Sequence, residues 1–141
     1  MKPLAFRFAL PLLALPLLAG CVNDSASYAF PEKNHAITLI RNQAWPWDAD
    51  MELGIAVARQ PDCDGGSRVK AVPMKAEITL FKAPDDYAEP IFILRVDKRD
   101  YAISTLSCQV QEFKEPPPDV GTRLGGFKEK DGKFAFVAGG A

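Results

Sequence analysis

The chain has 141 residues, which is long enough for one domain and too short for several. Its 17 Lys and Arg residues nearly balance its 18 Asp and Glu residues, and no basic run occurs, so the composition argues against a nucleic-acid-binding protein. These totals combine two unlike parts. Residues 1–20 hold two basic residues and no acidic residue, so the net charge of the remaining 121 residues is −3 rather than −1.

The N-terminal segment has the layout of a secretory signal. Lys2 and Arg7 precede an uncharged apolar run over residues 8–19, which ends in small residues. The run is shorter than the roughly 20 apolar residues that a membrane-spanning helix needs, and Pro11 and Pro16 interrupt it. We therefore predict a cleaved export signal over residues 1–20 and no transmembrane anchor.

The end of this run, Leu18-Ala19-Gly20-Cys21, resembles the lipobox of bacterial lipoproteins, in which a small residue precedes an obligatory Cys. The resemblance covers the first 21 residues. It implies a lipid on the Cys21 sulfur, cleavage before Cys21 and acylation of the new amino group. Several acyl chains hold a protein at a membrane, whereas one chain binds reversibly. Val22 stands where Asp retains enterobacterial lipoproteins at the inner membrane, so the resemblance implies the outer membrane of a Gram-negative cell, facing the periplasm.

The segment after Cys21 has the composition of a linker. Residues 22–35 show no sustained periodicity and are rich in small and polar residues, so we predict a flexible lipidated tether over residues 21–35. His35, the only His of the chain, falls in or next to this tether and is expected to be exposed. A Ser-His-Asp arrangement would have to use this residue, and the remaining carboxylate pairs lie in predicted turns. We predict no catalytic residue and no enzyme.

Residues 36–141 form a single β-rich domain in this interpretation. Eight segments alternate apolar and polar residues or are apolar throughout, and no stretch of twelve residues has helical periodicity. The fold class predicted is all-β, a small antiparallel β-sandwich or β-barrel of about eight short strands. The predicted strands are residues 36–41, 51–58, 76–81, 91–96, 102–106, 108–113, 123–130 and 133–138.

Two features of this domain are specific. Asp131-Gly132 lies between the last two segments and predicts a hairpin, because a type I′ turn needs positive φ at both central residues. Residues 91–96 are apolar on both faces and predict a central, covered strand. Residues 61–66, 84–86 and 115–119 contain Pro, Gly and Asp and are predicted to be loops.

Two Cys residues remain for the exported domain. Cys63 and Cys108 would meet an oxidising compartment, so we predict a structural disulfide between them. Closing a loop of this length stabilises a fold by roughly 4 kcal/mol in the chain-entropy model. Neither Cys belongs to a Cys-x-x-Cys pair, which argues against redox work.

Three side chains are candidates for recognition. Trp45 and Trp47 flank Pro46, and their indoles either form a platform for a sugar or an apolar partner, or cap the end of the β core. Arg95 shares a strand face with Ile91 and Ile93, so it either pairs with a buried carboxylate or lines a shallow site.

No metal or cofactor is predicted. Asp48, Asp50 and Glu52 alternate, and Asp62 and Asp64 precede two glycines, but neither group completes a known calcium-binding loop. One His and two bridged Cys residues do not supply a transition-metal site.

The leading functional hypothesis is a membrane-anchored periplasmic lipoprotein with a non-catalytic binding or envelope accessory domain. Its expected partners are the membrane, through lipidated Cys21, and a protein or envelope component, bound through a sheet face or through the region of Trp45 and Trp47. The alternative is an inhibitor or small-ligand carrier built on a β-barrel. That alternative requires a cavity or a rigid protruding loop such as residues 61–67.

Overall fold

The computed structural model describes residues 20–139, and within this range it contains ten β-strands and no helix. The predicted signal segment lies outside the described residues except for Gly20. The strands are β1 Asn23–Ala29, β2 His35–Asn42, β3 Asp50–Arg59, β4 Cys63–Pro73, β5 Ile78–Lys82, β6 Ile91–Val96, β7 Arg99–Ser104, β8 Val110–Glu112, β9 Thr122–Lys130 and β10 Lys133–Ala138.

The strands form two antiparallel sheets that pack together. The first sheet has the order β1-β2-β3-β4, and the second has the order β10-β9-β5-β6-β7-β8. Side chains from both sheets form one hydrophobic core, to which each sheet contributes its inward face. The all-β prediction is confirmed, and of the two predicted architectures the structure has the β-sandwich.

Strand β3 shows why these segments pair and pack as they do. Met51, Leu53, Ile55 and Val57 are each at most 4% exposed, whereas the residues between them face away from the core. Side chains on a strand alternate between faces, so this spacing places all four in the core. Burying each such side chain contributes about 1.5–3 kcal/mol of transfer free energy, which is gained only when the second sheet covers the face.

Strand β6 is covered on both faces, as predicted. It lies between β5 and β7, and Leu94 and Val96 belong to the core shared with the first sheet. Ile93 faces the other side of the second sheet, yet it is 0% exposed. The connection from β8 to β9, residues 113–121, has to cross β7, β6 and β5, because β8 and β9 lie on opposite sides of these strands. It crosses the outer face, since the inner face packs on the first sheet.

The predicted C-terminal hairpin is also confirmed. Strands β9 and β10 pair from Lys130 and Lys133 onward, and Asp131 and Gly132 have φ values of 53° and 75°. Both central residues therefore adopt the left-handed conformation that a type I′ turn requires.

The predicted tether is wrong over most of its length. Residues 23–29 form β1, which pairs with β2 from Asn23 opposite Asn42 to Ala29 opposite Ala36. Ala26 is 7% exposed and belongs to the core, and Tyr28 packs against it. The inward residues of β1 are Asp24, Ala26 and Tyr28, so a charged, a small and a partly polar residue alternate with Ser residues and the pattern carries little hydrophobic contrast. The strand is stabilised by pairing with β2, which is a tertiary contact that the local sequence of β1 does not reveal.

His35 is not an exposed linker residue. It begins β2, its side chain is 12% exposed, and its ring stacks on Phe30 with centroids 3.9 Å apart. The imidazole therefore packs against an aromatic ring at the edge of the core.

The predicted loop over residues 61–66 is partly wrong, because β4 begins at Cys63. A Cβ atom on Gly65 would lie 2.1 Å from the carbonyl oxygen of Cys108. Gly65 therefore allows β4 to lie close to the backbone that follows β7, where a side chain would not fit. Because glycine is also typical of turns, the sequence of this segment was interpreted as a loop. With β1 and β4 included, the described residues form ten strands instead of about eight.

Candidate functional site

The candidate residues lie at the two ends of the sandwich. The loop between β2 and β3, residues 43–49, lies at the end where β1 begins, and we call this end the anchor end and this loop the indole loop. The opposite end, where β3 leads into β4 and β7 into β8, carries Cys63 and Cys108, and we call it the bridge end. The ten residues of β3 separate the two ends by about 33 Å at roughly 3.3 Å per residue.

The predicted disulfide is confirmed at the bridge end. Cys63 begins β4 in the first sheet and is bonded to Cys108, which precedes β8 in the second sheet. Their Cα atoms lie 5.8 Å apart. The bond therefore joins the two sheets along the edges formed by β4 and β8.

An ion pair joins the sheets on the opposite side. Arg41 of β2 is 5% exposed, and its Nε and Nη2 donate to the carboxylate of Asp24 in β1 at 2.7 and 2.6 Å. Nη2 also donates to Glu129 of β9 at 3.3 Å, and the guanidinium carbon lies 4.1 Å from the ring centroid of Phe134. The hydrogen bond to Asp24 raises the pKa of Arg41 above its usual value.

Sequence reasoning assigned no role to Arg41, although a signal was present. It follows Ile37 and Leu39 at a spacing of two residues, which is the inward face of β2. An Arg in such a position requires a carboxylate partner, and the partners come from β1 and β9.

Arg95 takes the first of its two predicted alternatives. Its Nε and Nη2 donate to the carboxylate of Asp100, its neighbour across β6 and β7, at 2.7 and 3.0 Å. The Asp100 side chain is 4% exposed. This hydrogen bond raises the pKa of Arg95. Arg95 thus forms a bidentate pair with a buried carboxylate, which positions neighbouring strands.

Cys21 lies at the anchor end and is the free, exposed Cys of the chain. Val22 donates its N–H to Oε1 of Gln43 at 3.1 Å, and Gln43 donates its N–H to the carbonyl oxygen of Val22 at 2.8 Å. The Sγ of Cys21 lies 3.5 Å from the carbonyl oxygen of Ala44. Cys21 is therefore held against the indole loop.

The indole loop exposes both of its tryptophans. Trp45 is 58% exposed and Trp47 is 77% exposed, and their rings are stacked with centroids 5.4 Å apart and planes 13° apart. Of the two predicted alternatives, the one in which they cap the core is wrong. They form a continuous outward-facing aromatic surface.

Asp48 closes the loop that carries this surface. Trp45 donates its N–H to Oδ2 of Asp48 at 3.1 Å, and Asp48 donates its N–H to the carbonyl oxygen of Trp45 at 3.0 Å. The side-chain amide of Gln43 donates to the carbonyl oxygen of Asp48 at 2.8 Å. The exposed rings therefore stand on a turn that is ordered by its own hydrogen bonds.

A cleft of about 710 Å³ lies along the edge of the sandwich near β9 and β10. Arg41, Thr79, Arg123 and Phe134 are among the residues that line it, and Arg95 is not. The Nε of Arg123 is buried and has no hydrogen-bond partner among residues 20–139. A guanidinium N–H in this position is able to donate a hydrogen bond to an oxygen of an anionic ligand.

Most of the carboxylates considered for calcium make other contacts. Asp48 closes the indole loop, Asp62 lies 3.6 Å from Arg59, and Glu52 lies 3.7 Å from Arg68. Within the part of the chain that the structure describes, no group of three or more His, Cys, Asp or Glu side chains gathers at one point to hold a metal ion.

Comparison with protein-family models, with curated proteins and with solved structures found no match to this chain. Between residues 20 and 139, no helix has the length and apolarity needed to cross a membrane.

Proposed function

We propose that the chain is an envelope lipoprotein, anchored to the outer membrane of a Gram-negative cell by lipids on Cys21, with a non-catalytic β-sandwich that faces the periplasm. The observation that carries this proposal is the state of the three Cys residues. Cys63 and Cys108 are bonded to each other, whereas the lipobox residue Cys21 is free and exposed at the very start of the folded domain. Cys21 is the thiol that remains for lipid attachment.

The proposal gives the sandwich a binding task, with a protein or envelope component as partner. The guanidinium groups of Arg41 and Arg95 form ion pairs that hold neighbouring strands together. His35 is stacked on Phe30 at the core edge. These contacts support a domain that is built to be rigid and to present surfaces.

The anchor is tested by Cys21→Ser expressed from the full chain in a Gram-negative host. We expect loss of labelling by radioactive palmitate and transfer of the protein from the membrane fraction to the periplasmic fraction. Ser107→Ala, which alters an exposed side chain at the bridge end, is the control and should leave both readouts as in the wild type. A Cys21→Ser protein that is still labelled by palmitate would overturn the proposal.

The choice of membrane has a separate test. Val22→Asp introduces the residue that signals inner-membrane retention in enterobacteria, so in such a host it should move the lipidated protein from the outer to the inner membrane in a density gradient. Val22→Ala serves as the control. If the wild type already sediments with the inner membrane, the outer-membrane assignment is refuted while the lipid anchor stands.

A second candidate function, a small-ligand carrier, is favoured by the cleft that contains Arg123. The buried Nε of Arg123 has no partner within residues 20–139, and carboxylates and phosphates are the groups that guanidinium donors recognise. Titration with acetate and with inorganic phosphate, followed by NMR, should give saturable shifts around the cleft that Arg123→Gln removes. Shifts that do not saturate would remove the support for this candidate.

A further inference from the structure

We propose that the indole loop is a second membrane contact, in which Trp45 and Trp47 lie in the polar interface of the bilayer that holds the lipids of Cys21. The inference rests on the proposed lipid anchor. It adds that the domain stands on the membrane in one orientation, with the anchor end at the bilayer and the bridge end pointing away.

No flexible tether separates Cys21 from the folded domain. Only Val22 lies between Cys21 and the first residue of β1. Val22 is hydrogen-bonded to Gln43 through both its N–H and its carbonyl oxygen. A flexible tether over residues 22–35 would have let the domain stand off by about 20 Å, which is the expected end-to-end distance for such a chain.

Cys21 lies close to the loop that carries the two indoles. The acyl chain on the sulfur leaves from Sγ of Cys21, which lies 3.5 Å from the carbonyl oxygen of Ala44, the residue before Trp45. The polar interface on each side of a bilayer is about 5–7 Å thick, as the difference between total and hydrocarbon thickness shows. A sulfur whose chain enters the hydrocarbon therefore brings the indole loop to headgroup depth.

The exposed surface of the indole loop consists of two tryptophan rings. Tryptophan has a large apolar ring and one N–H donor, and it is enriched where membranes meet water. The two rings are 58% and 77% exposed and are stacked with planes 13° apart, so they present one apolar wedge instead of two separate side chains. Asp48 and Gln43 hold the loop in this form, so insertion requires no refolding.

The charges around the loop indicate what kind of attraction to expect. Asp48, Asp50, Glu52 and Lys70 lie together beside Ala44, with charges of both signs. Three of these four residues are acidic, so anionic lipids do not attract this surface. The contact should therefore depend on apolar burial and persist at high salt concentration.

The test uses the intrinsic fluorescence of the lipidated full chain, because Trp45 and Trp47 are its only tryptophans. The protein is reconstituted into vesicles of phosphatidylethanolamine and phosphatidylglycerol, with and without phospholipids brominated on the acyl chains. We expect emission at shorter wavelength than for the Cys21→Ser protein in buffer, loss of most of the emission with brominated lipids, and protection from iodide. High salt should not change these results.

A matched control places the tryptophan at the bridge end. Leu106 is 53% exposed and its carbonyl oxygen lies 3.5 Å from Sγ of Cys63, far from the indole loop. In the triple variant Trp45→Phe, Trp47→Phe, Leu106→Trp, emission should stay typical of water, with quenching by iodide and none by brominated lipids. If brominated lipids quench the introduced indole as strongly as they quench the native pair, the fixed orientation is refuted.

The remaining outcomes separate this inference from the anchor on which it rests. If the protein floats with the vesicles but the native tryptophans are quenched by iodide and not by brominated lipids, the anchor stands and the membrane contact of the indole loop is refuted. The loop would then be free to bind a sugar or a protein. If the protein does not float with the vesicles, the anchor itself is refuted and the inference falls with it.

Discussion

The two ends of the sandwich are closed by different means. At the bridge end a covalent bond between Cys63 and Cys108 joins the sheets, and Gly65 lets their backbones approach closely. At the anchor end the order comes from hydrogen bonds and ion pairs, and two large indoles remain in contact with solvent. The bridge end is thus closed by a covalent bond between the sheets, whereas the anchor end is closed without one and carries an exposed apolar surface.

Removing the disulfide bond is expected to change the free energy of unfolding more than any other alteration considered below. The double variant Cys63→Ala/Cys108→Ala should lower the free energy of unfolding by about 4 kcal/mol, since the bond closes a loop with a sequence separation of 45 residues. Urea unfolding of the unlipidated Cys21→Ser protein measures this difference, with the bridged Cys21→Ser protein as the reference. A loss below about 1 kcal/mol would show that the bond constrains the unfolded chain far less than its loop length implies.

The next effect concerns the ionic closure of the other edge. Arg41→Met removes a 5% exposed guanidinium that donates to Asp24 and Glu129, and leaves both carboxylates beside an apolar side chain. We expect a loss of about 2 kcal/mol in the same unfolding assay. Arg68→Met is the control, because Arg68 is 79% exposed and lies 3.7 Å from Glu52, and pairs of this kind contribute about 0–1 kcal/mol. Equal losses for the two variants would contradict the role of Arg41.

A smaller effect tests the close approach at the bridge end. Gly65→Ala would place a Cβ atom 2.1 Å from the carbonyl oxygen of Cys108, so the backbone has to move, at a cost of about 1–2 kcal/mol. Gly54→Ala is the matched control on the neighbouring strand, where the nearest atom would be 3.4 Å away. The midpoint temperature of thermal unfolding should be clearly lower for Gly65→Ala than for Gly54→Ala. The reverse order would be evidence against the packing described for β4.

The smallest effect is a pH dependence at the anchor end. Arg99 donates to both carboxylate oxygens of Glu112, at 3.0 and 3.1 Å, and this hydrogen bonding lowers the pKa of Glu112. The folded state thus favours the charged carboxylate, so its contribution to stability is present above the ordinary pKa of Glu and is lost as the pH falls through the lowered value. An NMR titration should find a higher midpoint for Glu112 in Arg99→Gln than in the wild type. Equal midpoints would contradict the pairing.

The parts of the fold that the sequence predicted correctly are those with a strong local signal. Asp131-Gly132 demands a particular turn, and residues 91–96 are too apolar to be exposed on either face. The disulfide followed from the count of Cys residues and the expected compartment, without any knowledge of the fold.

The parts that were missed depend on tertiary contacts. Strand β1 is extended because it pairs with β2, and its Ser and Ala residues give no local evidence for that. The sequence did not identify Asp100 as the partner of Arg95, because the pairing depends on the register of β6 and β7, which places the two residues opposite each other. The proximity of Cys21 to Trp45 links residues far apart in the sequence, and the sequence alone indicated a tether where the structure has a strand.

We propose that the anchored domain stands directly on the bilayer, and neutron reflectometry of the lipidated protein on a supported outer-membrane-like bilayer tests this proposal. We expect protein density that begins at the headgroup layer, with no solvent layer between the protein and the bilayer. A water-filled gap of about 20 Å, as expected for a flexible tether over residues 22–35, would contradict it.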